Sequence, residues 1–434
     1  VMDGRGNITD ETQYEKGGAM KKMSHGVYRI RQKFNYAGKP TEMSYFDQQD
    51  RPMRSNDGFH RFTNQYDYRG NVLEIAYFDI DQKPVLHGMT GVHSIVNAYD
   101  DRNKITSTAY FNTANQPMLG EEGWHQEKQT YDFRGNCIER KYYGIDTKPM
   151  LMDDGVHLTR TQYNNDDQVI GSSCFDVMEK PCLCDAGWHR YAIEQSVDGL
   201  TKTTRYFGAT NQPIVHPSKK WHKQLVVDRE DRIIRDTSIF DEKDQPVADA
   251  DGIHSFRSTF ENGNEINRFF RDVNGKPCYV GDYCQWAKVY DSLNRFTEIR
   301  FFDEDREPSR NKDDIHGQFI RYDSSNRPIE YANFDESERP CYDQYGVHRW
   351  KQEYDAAGRV VSWVHLDAEG EPAKNPDGIH HMRKEFDDRG NETKRYFLNP
   401  AGKPAECKEG YHGYVAEFDD ANQEIKHTMI DVKG

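Results

Sequence analysis

Phe46-Asp47-Gln48-Gln49-Asp50-Arg51-Pro52-Met53-Arg54-Ser55-Asn56-Asp57-Gly58-Phe59-His60-Arg61-Phe62-Thr63-Asn64-Gln65-Tyr66-Asp67-Tyr68-Arg69-Gly70-Asn71-Val72-Leu73-Glu74-Ile75-Ala76-Tyr77 is one period of a thirty-two-residue repeat that runs through nearly the whole chain. Its proline recurs at positions 52, 84, 117, 149, 181, 213, 246, 277, 308, 340, 372 and 404. Eight residues on stands a histidine, as His60, His125, His157, His189, His254, His316, His348, His380 and His412, with His93 and His222 one place later. A period between about 20 and 50 residues marks a module too small to bury its own apolar face, which is stabilised by stacking on its neighbours.

The unit reads Phe-Asp-x-x-x-x-Pro, five or six variable residues, Gly-aromatic-His, five residues, Tyr-Asp-x-x-Gly-Asn, and a short run back to Phe-Asp. About twelve to thirteen units account for the length. A degenerate one covers residues 1–45 and regular ones cover 46–434, as a single continuous array without a Pro/Ser-rich linker. Composition agrees with an extended β array. Hydrophobic residues make up only 35% and mean hydropathy is -1.01, so the 26 Tyr and 22 Phe must carry the burial.

Two strand candidates fall in each unit: one from the histidine to Tyr-Asp, eight residues long, and one from Gly-Asn to Phe-Asp. Between them, Tyr68-Arg69-Gly70-Asn71, Phe133-Arg134-Gly135-Asn136 and Asp388-Arg389-Gly390-Asn391 have the glycine and asparagine of hairpin loops. The prolines belong to the following turn, where a missing N–H costs no ladder bond. Each unit is thus two strands and two loops. Side chains two apart share a face, so His60, Phe62, Asn64 and Tyr66 form the buried stripe and Arg61, Thr63 and Gln65 the wet one.

Eleven histidines in one slot invite a ladder of metal ligands. Structural zinc, however, wants clusters of four ligands rather than a row, and a half-buried imidazole can instead bond the backbone of the loop that crosses it. The histidines therefore read as structural. Acidic turns such as Asp249, Asp251 and Gly252 read as solvated turns, because no unit carries a complete calcium loop. Cys182, Cys278 and Cys341 occupy the slot held by Met53, Val85, Met118, Met150, Ile214 and Val247 in other units and act as small hydrophobes, while Cys137, Cys174 and Cys407 stand in unrelated places. No disulfide framework or zinc motif follows, which tilts the expected compartment toward the cytoplasm.

A net charge of -15, from 58 Lys and Arg against 73 Asp and Glu, argues against a nucleic-acid partner. No apolar run is long enough to span a membrane, so no membrane insertion is expected. The opening Val1-Met2-Asp3-Gly4-Arg5-Gly6-Asn7 is already a repeat turn, from which a longer parent protein is expected; a signal outside the sequence would make it secreted or cell-surface. Phosphate loops, H-E-x-x-H and G-x-S-x-G are all missing, and the units that break the rule do so modestly, at Ser196–Gly199, His216–Trp221 and Gly281–Trp286. No enzyme and no cofactor are expected.

At Tyr66-Asp67-Tyr68-Arg69-Gly70-Asn71, Tyr131-Asp132-Phe133-Arg134-Gly135-Asn136 and Tyr354-Asp355-Ala356-Ala357-Gly358-Arg359 the chain resembles the YD repeats of bacterial Rhs proteins, over about a third of each unit. The resemblance implies β-hairpins wound into a spiralling sheet that closes as a hollow shell around a toxic domain. The chain departs from it in its longer period and in the Pro to Gly-aromatic-His segment. Units with Gly-Trp-His resemble, more distantly, choline- and glucan-binding hairpin repeats, and the MORN family similarly repeats short Gly/Tyr hairpins. The expected fold is all-β: tandem hairpins forming a superhelical sheet, solenoid or spiral shell. The expected function is a non-catalytic scaffold for a protein partner or for other domains of the same polypeptide. Two alternatives stand beside it: a fragment of an Rhs-like shell enclosing a toxin, and a glycan binder whose contacts would be Trp124, Trp188, Trp221, Trp286 and Trp350.

Overall fold

A computed structural model describes residues 1–229, 232–344, 346–375, 377–419 and 422–431. Among them are 28 β-strands and no α-helix. The chain divides into two compact units, Val1–Glu194 with Thr204–Ser218, and Gln195–Thr203 with Lys219–Gly434. Within the first, strands from Arg29–Phe34 to Val169–Phe175 pair antiparallel with their neighbours in chain order, and Asp10–Tyr14 pairs with Arg29–Phe34. Within the second, the same order runs from Lys223–Arg229 to Glu424–Ile430. The architecture is a tandem β-hairpin repeat.

The quoted stretch shows how residue chemistry builds one hairpin. Arg61–Tyr66 pairs with Val72–Phe78, with Gln65 opposite Glu74 and Tyr66 opposite Val72, so that Leu73 is the extra residue of a bulge. Asp67 organises the loop. Its Oδ1 accepts the N–H groups of Arg69 and Asn71, both at 2.9 Å, and its Oδ2 accepts Nδ2 of Asn71 at 2.9 Å. Gly70 sits at φ 89°, a conformation in which a Cβ is strained. Burial would raise the Asp67 pKa, but these hydrogen bonds outweigh it and hold the carboxyl below its ordinary value. The Tyr66 hydroxyl donates to the Pro40 carbonyl of the preceding unit at 2.8 Å. Tyr-Asp-x-x-Gly-Asn is therefore a closed loop with one tether backward.

It also has a tether forward. Arg69 Nη1 donates to the Asp100 carbonyl at 2.8 Å and Asn71 Nδ2 to Asn103 Oδ1 at 2.8 Å, one period on. Arg102 to Asp132 (2.7 Å) and Arg134 to Asn164 (2.6 Å) continue the ladder in the first unit, as Arg359 to Asp387 (3.4 Å) and Arg389 to Asp419 (2.6 Å) do in the second.

Three details differ from the sequence reading. The first strand is six residues, Arg61–Tyr66, rather than eight, because the histidine and the aspartate are taken up at the two loop junctions. Pro52 does more than occupy a turn: it pairs with Phe46 in an isolated antiparallel bridge. The flanking bonds run from Asp47 N to Arg51 O and from Met53 N to Tyr45 O, both 3.0 Å, so the N–H that proline lacks is not needed there. A third turn, Ser55 to Phe59, completes each unit, closed by Ser55 N to Phe59 O at 2.8 Å with Gly58 at φ 83°.

This third turn moves the core. Phe62, expected on the buried stripe, is half-buried, and so are Arg61 and Thr63 on the face expected to be wet. The deepest aromatics are Tyr45 (2% exposed) on the second strand and Phe59 (3%) just before the histidine, packed with Met23, Val27, Ile30 and Tyr77. The segment from proline to histidine lies over the strand face and covers it. In the second unit, Phe270, Cys278, Val280, Trp286, Phe301 and Ile315 form the equivalent cluster. Each such aromatic contributes about 2 kcal/mol by leaving water.

Candidate functional site

The repeated residues are engaged inside the repeat. His60 is 3% exposed. Its Nδ1 lies 3.1 Å from the Met53 carbonyl, its main chain bonds Phe78 and Tyr45, and its ring meets Phe46 edge-on with centroids 5.4 Å apart. Arg31 lies over the Phe46 ring at 4.5 Å. The same bond joins His93 to Val85, His157 to Met150, His254 to Val247, His316 to Ser309 and His348 to Cys341, at 2.9–3.3 Å. His125 bonds Tyr110 at 2.8 Å, and His189 faces the carbonyls of both Cys174 and Cys182 at 2.7 and 3.3 Å. His222 is buried, and His380 and His412 are half-buried with no well-aligned partner at Nδ1. Among the described residues, no group of three or more His, Cys, Asp or Glu side chains is placed to hold a metal ion.

The five tryptophans put forward as ligand contacts do not form an exposed column. Trp124, Trp221 and Trp286 are buried, and Trp188 and Trp350 half-buried. Trp124 stacks on Tyr110 with centroids 4.5 Å apart, and Trp350 on Tyr331 at 3.6 Å. Trp124, Trp188 and Trp221 share the slot of Phe59, directly before the histidine, so each fills the core of its own unit.

The three most exposed aromatics are elsewhere. Tyr36 (88% exposed), Tyr68 (95%) and Phe133 (87%) share one slot, the first residue after the aspartate or asparagine that closes the loop, all in the first unit. Each has a guanidinium beside it: Arg5 over Tyr36 at 4.1 Å, Arg69 over Tyr68 at 5.5 Å and Arg134 over Phe133 at 5.7 Å. Neighbouring strands are about 4.8 Å apart, so a two-strand unit advances about 10 Å. Tyr36 and Tyr68 are therefore about 10 Å apart, with Phe133 about 20 Å further on. In the sequence this slot is an unspecified x of Tyr-Asp-x-x-Gly-Asn, because it is aromatic in only three units.

In the second unit a cleft of about 450 Å³ is lined by Trp363, His365, Met382, Arg395, Phe397 and Tyr411, among others. His365 stands in the slot of Tyr45 and Tyr77. Burial pushes the His365 imidazole pKa down, so the ring is held neutral. Arg395 is engaged by Glu392 through two hydrogen bonds of 2.6 and 3.1 Å. The Glu392 carboxylate also accepts the Tyr414 hydroxyl at 2.6 Å and pairs with Lys384 at 2.9 Å. Burial opposes its ionisation, yet these donors outweigh burial and hold the carboxyl at about 2. The Arg395 guanidinium in this cleft is thus paired within the array.

No known family model matches the chain, and neither does any curated protein. Solved structures that are similar include TcdB2-TccC3-TEV, 11% identical over 99% of this chain and 25% of that one, with a TM-score of 0.38. TcdB2-TccC3 is likewise 11% identical, over 99% and 26%, at 0.29, and the Tc holotoxin pore of Photorhabdus luminescens is 11% identical, over 99% and 25%, at 0.27. The chain spans about a quarter of the length of these structures. Its resemblance to the YD repeats of Rhs proteins rests on the Tyr-Asp-x-x-Gly-Asn loops of its β-hairpins.

Proposed function

We propose that this chain is a non-catalytic repeat scaffold whose Tyr-Asp loops bind a protein partner. The observation that carries the reading is the row of Tyr36, Tyr68 and Phe133, each at least 87% exposed and each beside an arginine. Large aromatics left in water contribute nothing to the fold, whereas aromatic and arginine side chains are the residues that dominate protein–protein contacts once desolvated. The loops that present them are closed by Asn35, Asp67 or Asp132 and tied to a neighbouring unit, so little ordering entropy is left to lose on binding. A partner spanning the row would cover about 30 Å along the repeat axis.

A photo-crosslinking amino acid placed at position 36, 68 or 133 of the full-length polypeptide, in its own cells, tests this. The expected result is one protein adduct common to the three positions, and the adduct from position 36 is lost in the Tyr68→Ala/Phe133→Ala double variant although its melting curve is unchanged. No adduct, or an equal adduct from Ser324 in the same slot of another unit, contradicts the proposal.

A further inference from the structure

The fifth unit differs from the others in carrying three cysteines on one stripe. Cys174 takes the slot of Tyr45, Tyr77, Tyr110, Tyr142 and Tyr206, Cys182 that of Met53 and Met150, and Cys184 that of Ser55, His87 and His216. The first and third of these slots face each other in three other units. Tyr77 packs on His87 with ring centroids 4.7 Å apart, Tyr206 on His216 at 4.6 Å, and the Tyr110 ring lies where a side chain on Gly120 would go. In the fifth unit the same juxtaposition brings two thiols together. The backbone holds them there: Phe175 pairs with Pro181, Cys182 N bonds Cys174 O at 3.1 Å, and the turn after Cys184 closes through Cys184 N to Trp188 O at 2.9 Å. All eight cysteines are free thiols in this structure.

We propose that Cys174 and Cys184 form a redox-reactive thiol pair that closes to an intramolecular disulfide by exchange with a small disulfide such as oxidised glutathione. Cys184 is half-buried and is the thiol that an oxidant reaches; Cys174 is 4% exposed and is the resolving partner. Cys184 thiolate attacks one sulfur of the small disulfide and expels a thiolate, leaving a mixed disulfide. Cys174 then loses its proton and attacks the Cys184 sulfur, expelling the second thiolate. The protein loses two protons and two electrons, and one small disulfide becomes two small thiols. Burial and the neighbouring Cys184 thiol raise the pKa of Cys174, which keeps this thiol protonated and unreactive until the mixed disulfide is beside it. The product ties the Pro181–Cys184 segment to strand Val169–Phe175, replacing the ring packing that other units have at this place.

The test is exposure of the folded full-length chain to oxidised glutathione, followed by alkylation and peptide mapping. Cleavage after Glu179 separates Cys174 from the other two cysteines, and a chymotryptic cut after Leu183 separates Cys182 from Cys184. The expected product is two hydrogens lighter than the reduced protein, linked from Cys174 to Cys184, with the other six thiols alkylated. It still forms in Cys182→Ser and is lost in Cys184→Ser, both variants keeping the parent melting temperature when reduced. The proposal is overturned by a stable glutathione adduct at Cys184, by a link to Cys182, or by eight alkylated cysteines.

Discussion

Replacing His316 with alanine is expected to lower the stability of its repeat by about 3 kcal/mol. The side chain is 1% exposed, meets Phe302 and Phe334 edge-on at 5.4 and 5.8 Å, and bonds the Ser309 carbonyl at 2.9 Å. Alanine leaves a cavity and an unpaired buried carbonyl. The main-chain bonds of this residue, from His316 N to Phe334 O and from Phe301 N to His316 O, remain available, so the loss is local rather than global. Asparagine places an amide N–H where Nδ1 was, and His316→Asn should recover about 1 kcal/mol of the loss. Native-state hydrogen exchange at the Phe301 and His316 amides reads the effect. Equal stability for wild type and His316→Ala, or destabilisation of wild type by a chelator, would count against the histidine as a clasp.

Glu392→Gln is expected to cost about 3 kcal/mol at neutral pH. The carboxylate is 18% exposed and satisfies Arg395, Lys384 and Tyr414 together, so the amide leaves a half-buried guanidinium and ammonium without their counter-charge. The folded-state pKa of about 2 lies below the ordinary 4.5. Its contribution is therefore fully present above pH 4.5 and is lost as pH falls from there toward 2. The stability difference between wild type and Glu392→Gln should narrow across that window, measured by urea denaturation at a series of pH values. A constant difference from pH 7 to pH 2.5 would show that the carboxylate is not held by these donors.

The period made much of the fold legible. Proline, histidine and Tyr-Asp recur at fixed offsets because each is tied to backbone a set number of residues away, Pro52 to Phe46, His60 to Met53 and Tyr66 to Pro40, and a tether of that kind tolerates no drift in spacing. Strand and loop positions followed from that register. The core did not, because alternation along a strand says which residues share a face but not what covers the face. The cover is the segment from Pro52 to Phe59, which is not a strand and has no periodicity of its own. Residues that look like ligand contacts, Trp124 and Trp221 among them, turn out to be its interior. Cys174 was legible in principle, since counting from Phe175 places it in the slot of Tyr45; read alone, a cysteine in a tyrosine slot looks unrelated to the repeat. The exposed aromatics were hidden for the opposite reason, standing at a position where most units carry small or polar residues.

Histidine is the residue through which the repeat closes on itself, and its tautomer is directly measurable. A carbonyl oxygen only accepts, so the bonds of His60, His93, His125, His157, His189, His254, His316 and His348 require Nδ1 to carry the proton. Nitrogen NMR of histidine-labelled protein above pH 7.5 should show these eight rings as the Nδ1–H tautomer, unchanged by a chelator or by added zinc. Rings carrying the proton on Nε2, or a set of shifts that collapses when zinc is removed, would contradict the clasp.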